Sequence, residues 1–185
     1  MTFEIWGMDM EKGCNWSHQS KGHHFILTII DYFSKWAEDV PLKEEKTSNV
    51  IKFVIHHVVY CFGVPRRIVH DNMPQFVSQA FQIFCSKFRI QSASLTAYYP
   101  ATSGLAKAFN KAIDKLLNKF VLKNQCDWDE KLGGCLWAYR TMVRTPTKAT
   151  PFFLVYGCEA VLSLEIQILS LCVTLVTNMM NKEKH

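Results

Sequence analysis

A chain of 185 residues that is 49% hydrophobic and 13% aromatic suits one folded domain, and this composition excludes global disorder. The net charge of +5 is compatible with a polyanionic partner, but a charge of this size does not by itself indicate one. Seven scattered cysteines without a C-x-x-C spacing disfavour both a disulfide framework and a zinc finger.

Three strands are predicted in the first quarter of the chain. Ile5–Met10 alternates apolar with small or polar residues. His24–Asp31 is nearly all apolar or β-branched, as expected of a strand that is buried on both faces. Because Trp36–Leu42 follows as a third strand, we expect an antiparallel meander at the front of the sheet.

The hydrophobic period then changes to that of a helix. Thr47 and Ser48 can cap this helix, and Gly63 and Pro65 end it. The apolar residues at helical spacing are Val50, Ile51, Val54, Val58 and Val59.

Strands and helices alternate in the remainder of the chain. The predicted elements are a strand at Arg67–His70, a helix at Ser78–Phe88 with Phe81, Phe84 and Phe88 along one side, a strand at Ile90–Leu95, and helices at Leu105–Leu122, from Asp127 through Arg140, and from Thr150-Pro151 onward. Three strands followed by alternating helices and strands predict an α/β fold with a five-stranded mixed sheet flanked by helices.

Two aspartates stand out by their positions. Asp9 lies inside the first strand, where an acidic residue is unfavourable unless it has a function. Asp71 follows the fourth strand, and ligands gather at the carboxyl ends of strands in α/β sheets. Two neighbouring carboxylates repel unless they share a cation such as Mg²⁺. The alternative from spacing alone is an exposed acid at Asp9 and a turn-forming Asp71.

A series of short motifs runs along nearly the whole chain. The motifs are Trp6–Asp9, Gly22–Leu27, Ile30–Trp36, Phe62–Pro65 followed by Asp71-Asn72, Tyr98–Pro100, Asn110-Lys111, Trp137–Thr141, Thr150–Phe152 and Leu154–Gly157. In this order and spacing they resemble the integrase catalytic core of plant gypsy-type LTR retrotransposons. The resemblance implies an RNase H-like three-layer fold. It also implies DNA integration, in which 3′ ends are trimmed and joined to target DNA by two-metal phosphoryl transfer.

The resemblance assigns the metal ligands as well. Asp9 and Asp71 match the first two catalytic carboxylates of the family, which hold Mg²⁺ or Mn²⁺, and the third is a glutamate. Thirty-five residues separate Asp71 from the matching position, which is Lys107, and the local run Gly104–Ala108 agrees with this placement. A protonated lysine only donates hydrogen bonds and cannot coordinate a cation. We therefore expect weakened or lost metal binding and feeble or no strand transfer.

The sequence offers no clear replacement for the missing ligand. Asp114 lies seven residues beyond the lysine, about 10 Å along a helix axis, which is too far. Glu11 and Asp31 do not match the family's site. Met73 stands where the family has glycine in the turn after the second aspartate, and its side chain is expected to conflict with a positive φ there.

Several residues near the site are candidate DNA contacts. The helix after Pro100 borders the DNA channel in the family, so the resemblance implies phosphate contacts by basic residues on it. The candidates are Lys111 and Lys115 on that helix, Tyr98, Tyr99 and Ser103 in the preceding loop, and further Arg66, Arg67, Arg140 and Arg144. The alternative is that the lysines, at i, i+4 spacing, form a solvated helix face.

The resemblance extends to domain organisation, partners and location. Residues 1–160 would form the catalytic core, and residues 161–185 a C-terminal extension that stops before any further domain. The expected partners are DNA, as element ends and target, and a second copy in a homodimer, with no membrane and no small-molecule substrate. The apolar stretch Val161–Val176 is interrupted by Glu165 and is too short to cross a bilayer, and no signal peptide is recognised. The expected location is the nucleus, with cytoplasmic transit.

Two other interpretations stay open, so enzymatic activity is left undecided. A core that kept its fold and lost catalysis would be a DNA-binding or interaction protein. A decayed copy would be a pseudogene fragment without function. RNase H itself is disfavoured by the motifs at Tyr98–Pro100 and Trp137–Thr141.

Overall fold

The structure, a computed structural model, describes residues 3–12, 22–94, 110–111 and 128–161. Within these ranges five strands form one sheet in the order β3-β2-β1-β4-β5. The strands are β1 (Ile5–Lys12), β2 (Phe25–Asp31), β3 (Ala37–Leu42), β4 (Arg67–His70) and β5 (Gln91–Ser94). The β1–β2 and β2–β3 pairs are antiparallel, whereas the β1–β4 and β4–β5 pairs are parallel. The predicted mixed sheet and its antiparallel front are confirmed.

Six helices accompany the sheet in the described part of the chain. They are α1 (Thr47–Val54), α2 (Tyr60–Phe62), α3 (Pro74–Val77), α4 (Gln79–Phe88), α5 (Trp128–Thr141) and α6 (Pro151–Tyr156), and a π-helical segment (Ile55–Val59) joins α1 to α2. Asn110 and Lys111 are also helical, while the rest of the predicted helix Leu105–Leu122 lies outside the described residues. Among the helices of the described residues, none is long and apolar enough to span a membrane.

The two predicted helix caps have different outcomes. The Thr150 hydroxyl accepts a hydrogen bond from the Phe153 N–H at 3.0 Å at the start of α6, so this cap is confirmed. The predicted cap at Thr47 and Ser48 is wrong, because Lys46 holds the cap position of α1 and makes no side-chain cap bond. The Thr47 hydroxyl instead bonds to α3 and to the residue that follows it, which ties α1 to its neighbours.

One face of the sheet packs against the helices between β3 and β5 and forms the main hydrophobic core. The buried residues of this core include Trp6, Met8 and Met10 of β1, Leu27 and Ile29 of β2, and Val50, Phe53, Val54, Phe76, Phe81 and Phe84 of the helices. Side chains alternate between the two faces along a strand. Asp9 and Thr28, which lie between these apolar positions, therefore point to the opposite face.

Arg140 of α5 binds the edge strand β3. Its guanidinium donates to the Ala37 carbonyl oxygen at 2.7 and 3.0 Å, pairs with Glu38 at 2.6 Å, and lies 4.2 Å from the centroid of the Trp36 ring. Edge strands carry unpaired backbone groups, and this contact covers one of them. The guanidinium of Arg144 similarly lies over its neighbour's ring, Tyr139. Both arginines were predicted as candidate phosphate contacts, but their guanidinium groups make contacts within the protein instead.

Replacing Arg140 with lysine is expected to lower the free energy of unfolding by about 1–2 kcal/mol, because lysine keeps the charge but loses the planar fork and the ring stacking. Urea denaturation measures the loss. The same change at the exposed Arg66 is the control. Equal losses in the two variants would contradict a specific role for the contact with β3.

Candidate active site

Asp9 and Asp71 directly follow a pair of residues that are hydrogen-bond neighbours on two parallel strands. Met8 of β1 pairs with His70, the last residue of β4, so the residues that follow, Asp9 in β1 and Asp71 just beyond β4, are at the same level along the two segments. Neighbouring strands lie about 4.8 Å apart. The register thus brings the two aspartates singled out in the sequence to one place, at the carboxyl end of β4.

Asp9 is buried in the central strand of the sheet. The residue is 7% exposed. One carboxylate oxygen accepts from the Met10 N–H at 3.0 Å, and the other accepts from the Asn110 side-chain amide at 3.2 Å. The alternative of an exposed acid at this position is wrong. Burial of a carboxylate is costly without hydrogen bonds or a cation, and these two donors lower that cost.

Asn110 belongs to one of the motifs that carry the resemblance, but the sequence did not assign it a role in the site. It is 6% exposed, and its Nδ2 atom reaches Asp9 across a sequence separation of 101 residues. The available signal was its place three residues after Lys107, which is close to one helical turn and puts both residues on one face of the predicted helix. The amide orients the Asp9 carboxylate without adding a charge.

The segment after Asp71 is held by short-range contacts. The Asp71 Oδ1 atom accepts from the Met73 N–H at 3.2 Å, and the Ser94 hydroxyl donates to the Asn72 side chain. Met73 has a φ of −63° and a ψ of 142°, which is extended backbone open to any residue. The expected conflict of Met73 with a positive φ is therefore wrong. Its sulfur atom instead accepts from the Gln75 amide at 3.2 Å.

His70 is 1% exposed and immediately precedes Asp71. Its Nδ1 atom lies 2.6 Å from the Asp71 carbonyl oxygen, and its Nε2 atom lies 2.8 Å from the Ser92 hydroxyl. A carbonyl oxygen only accepts, so Nδ1 carries the proton and Nε2 accepts from the serine. Burial lowers the pKa of His70, which favours the neutral ring that this arrangement requires.

A row of three polar side chains crosses the sheet from the site. Thr28 pairs with Asp9 on one side and with Asp39 on the other, so all three share one face. Among the described residues, the Thr28 hydroxyl and the Asp39 Oδ2 atom are buried without a hydrogen-bond partner. Removal from water raises the pKa of Asp39 to about 7, against the opposing effect of the Arg140 charge.

Asp31, considered as an alternative ligand, has a structural role at the end of β2. Its carboxylate accepts from the Phe3 N–H at 3.1 Å and from both the N–H and the hydroxyl of Ser34 at 2.7 Å. It pairs with Trp6, three residues before Asp9 and therefore about 10 Å away along the strand. Asp31 is therefore too far away to join the aspartate pair.

The described part of the site contains a pair of carboxylates and an exposed lysine. Lys111 is exposed beside Asn110, as a phosphate contact requires. The other predicted site residues, Tyr98, Tyr99, Ser103, Lys107 and Lys115, lie outside the described residues. Within the described ranges, no group of three or more His, Cys, Asp or Glu side chains is arranged to hold a metal ion.

The sequence matches known proteins over much of its length. Residues 2–100 match the protein family described as the integrase core domain. The chain is 32% identical over 140 residues to the Gag-Pol polyprotein of avian reticuloendotheliosis virus, and 33% identical over 137 residues to that of feline leukemia virus. These stretches cover 75% and 74% of this chain but 12% and 8% of the two polyproteins. The chain thus spans only a small part of these relatives.

Solved structures share the fold. A chain of the simian T-cell lymphotropic virus intasome in complex with the PP2A regulatory subunit B56 gamma has a TM-score of 0.72 at 25% identity, covering 88% of this chain and 57% of that chain. The HTLV-2 integrase catalytic core domain in complex with magnesium, in its trimeric form, has a TM-score of 0.66 at 25% identity. The match covers 82% of this chain and 95% of that chain. These similarities confirm the predicted RNase H-like architecture.

Proposed function

This chain belongs to the integrase core domain family, and from that premise we propose that it is the catalytic core of a retroelement integrase. The reaction proposed is the trimming and joining of DNA 3′ ends by two-metal phosphoryl transfer. The observation that carries the proposal is the placement of Asp9 and Asp71 at one level of β1 and β4, with Asn110 bonded to Asp9. A plant gypsy-type origin is part of the same proposal and is supported by the sequence motifs.

The aspartate pair fits Mg²⁺ or Mn²⁺. Magnesium sites in proteins use one or two carboxylates and complete the coordination with water and substrate phosphates. When bound, the metal would activate the attacking hydroxyl and stabilise the leaving oxygen. The N–H groups of Met10 and Met73 and the amide of Asn110 orient the two carboxylates. The protein's own contribution is therefore to hold the ligands in place.

Lys107 would impair this chemistry. A lysine at the third ligand position removes a carboxylate and adds a positive charge beside the other two. The proposal for this chain is therefore a folded core with feeble or no strand transfer. The test is Mg²⁺-dependent joining of DNA oligonucleotides by this chain before and after Lys107→Glu. Strong joining by the unmodified chain would contradict the proposed impairment.

DNA binding is expected to persist when joining does not. Lys111→Gln should weaken binding to all sequences alike and reduce the slope of log affinity against log salt by about 0.9, because one phosphate contact is lost. Fluorescence anisotropy of a labelled duplex across a salt series measures this slope. Lys87→Gln is the control, since Lys87 is an exposed lysine near the end of α4. An unchanged slope for the Lys111 variant would remove this residue from the proposed DNA surface.

The second candidate function is a DNA-binding or interaction protein without catalysis, and the lysine at the ligand position favours it. Salt-dependent DNA affinity with no joining or nicking, even after Lys107→Glu, would support this alternative. Three further parts of the proposal rest on the resemblance alone. They are a homodimer formed through the core, nuclear action with cytoplasmic transit, and the division into residues 1–160 and 161–185.

A further inference from the structure

A line of hydrogen bonds runs from α4 through β5 to the main chain of Asp71. The side-chain amide of Gln82 donates to the Ser92 hydroxyl at 3.2 Å. That hydroxyl donates to Nε2 of His70 at 2.8 Å, and Nδ1 of His70 donates to the Asp71 carbonyl oxygen at 2.6 Å. Each donor has a matching acceptor, so the line fixes one tautomer and one orientation of the imidazole ring.

Aromatic packing holds the same ring in place. The His70 ring centroid lies 5.5 Å from that of Phe76 and 5.8 Å from that of Phe81, the second contact being edge to face. Both phenylalanines are fully buried. Rotation of the imidazole would break two hydrogen bonds and two ring contacts. The ring therefore forms a rigid support beneath the end of β4.

We propose that His70 is a positioning residue for the Asp71 carboxylate, an inference that rests on the proposed metal site. The ladder between β4 and β5 reaches the pair His70 and Ser94, so Asp71 lies one residue beyond it. The imidazole donates the hydrogen bond to the Asp71 carbonyl oxygen that a neighbouring strand would otherwise donate. The direction of this peptide group determines where the Asp71 carboxylate lies relative to Asp9, and metal affinity depends on that geometry.

The experiment measures the affinity for Mn²⁺ alone by electron paramagnetic resonance, using the full chain with Lys107→Glu as the parent. His70→Phe keeps an aromatic ring against its neighbours and removes both hydrogen bonds. It should weaken Mn²⁺ binding by about 10-fold, the lower end of the usual effect of a residue that orients a ligand. His70→Asn retains a donor near the position of Nδ1 and should recover most of the parent's affinity. His57→Phe, the same change at a histidine that bonds to Glu38, should leave the affinity unchanged.

The outcomes separate this inference from the function on which it rests. Absence of Mn²⁺ binding by the parent would overturn the metal site and this inference together. Binding by the parent with equal affinity in a folded His70→Phe variant would overturn the positioning role alone. If His70→Phe does not fold, Ser92→Ala replaces it, because it removes the hydroxyl that fixes Nε2. About a threefold weakening by Ser92→Ala would support the role, and an unchanged affinity would overturn it.

Discussion

Replacing Lys107 with glutamate is expected to raise the rate of Mg²⁺-dependent DNA joining on the order of 10³-fold, because a restored ligand is worth several kcal/mol of transition-state stabilisation. If Lys107 occupies the proposed third ligand position, the change acts twice, since it supplies a carboxylate and removes a cation that would compete for Asp9 and Asp71. A gel assay that separates joined from unjoined oligonucleotides measures the rate. Binding of Mn²⁺ to the same protein gives a second readout that does not depend on turnover.

Three further variants isolate the cause of this gain. Lys119→Glu makes the same change of charge further along the predicted helix and should give no gain. Lys107→Ala removes the cation without supplying a ligand, so its rate should lie well below that of the glutamate variant. Asp71→Asn combined with Lys107→Glu should abolish joining. A rate for Lys107→Ala equal to that of Lys107→Glu would show that the third carboxylate has no role.

Asp39→Asn is expected to stabilise the protein by about 4 kcal/mol at pH 8, with the gain disappearing near pH 4. Burial raises the pKa of Asp39 to about 7 from its usual value of 3.8, and one pKa unit corresponds to about 1.4 kcal/mol. The folded state therefore holds a proton between these two pH values that the unfolded state has lost. The contribution of this proton to the free energy of unfolding is fully present below about pH 4 and is lost as the pH rises towards 7. Urea denaturation at a series of pH values measures the difference between the two proteins.

The neighbouring acid provides a control of opposite sign. Burial opposes the ionisation of Glu38, but hydrogen bonding with His57 and the charge of Arg140 outweigh it and lower its pKa. Glu38→Gln should therefore cost about 1–2 kcal/mol at neutral pH. This loss should diminish as the pH falls through the pKa of the folded state. A destabilising Asp39→Asn at pH 8 would show that the Asp39 carboxylate has a partner in solution.

The sheet could be predicted because each strand carries the pattern that its place demands. The nearly continuous apolar run of β2 matches a strand with neighbours on both sides and layers on both faces. Asp9 could be found because an acidic residue is unfavourable inside a buried strand and therefore breaks the apolar pattern. Asp71 was found from its place directly after a strand. These signals are local, and a single sequence contains them.

The supporting residues of the site could not be predicted, because their partners are distant in sequence. His70 bonds to Ser92 of another strand, and Asn110 bonds to a residue 101 positions away. Asp39 resembles any polar residue of an edge strand until the packing around its carboxylate is known. Arg140 failed as a phosphate candidate for the same reason, because its partner Ala37 is a backbone carbonyl with no sequence signature.

The backbone conformation expected at Met73 was wrong because the effect of the following proline, Pro74, was not considered. A glycine would be needed after Asp71 only if the backbone there had a positive φ. Proline at position 74 disfavours the helical region for the residue before it and shifts that residue towards extended backbone, which agrees with the ψ of 142° at Met73. The turn is therefore built differently, with Pro74 starting α3, and methionine fits it without strain.

The order of strands in the sheet also has a consequence for how the chain folds. The antiparallel pairs join residues that are near in sequence, such as Lys12 with Phe25, whereas β1 and β4 join Met8 to His70. Closing the longer loop costs more chain entropy, and contacts at long sequence separation slow folding. We therefore expect the meander to form before the crossover through α1 and α2 closes. Asp9 and Asp71 would then become neighbours late, so their mutual repulsion would not hinder the earliest stages of folding.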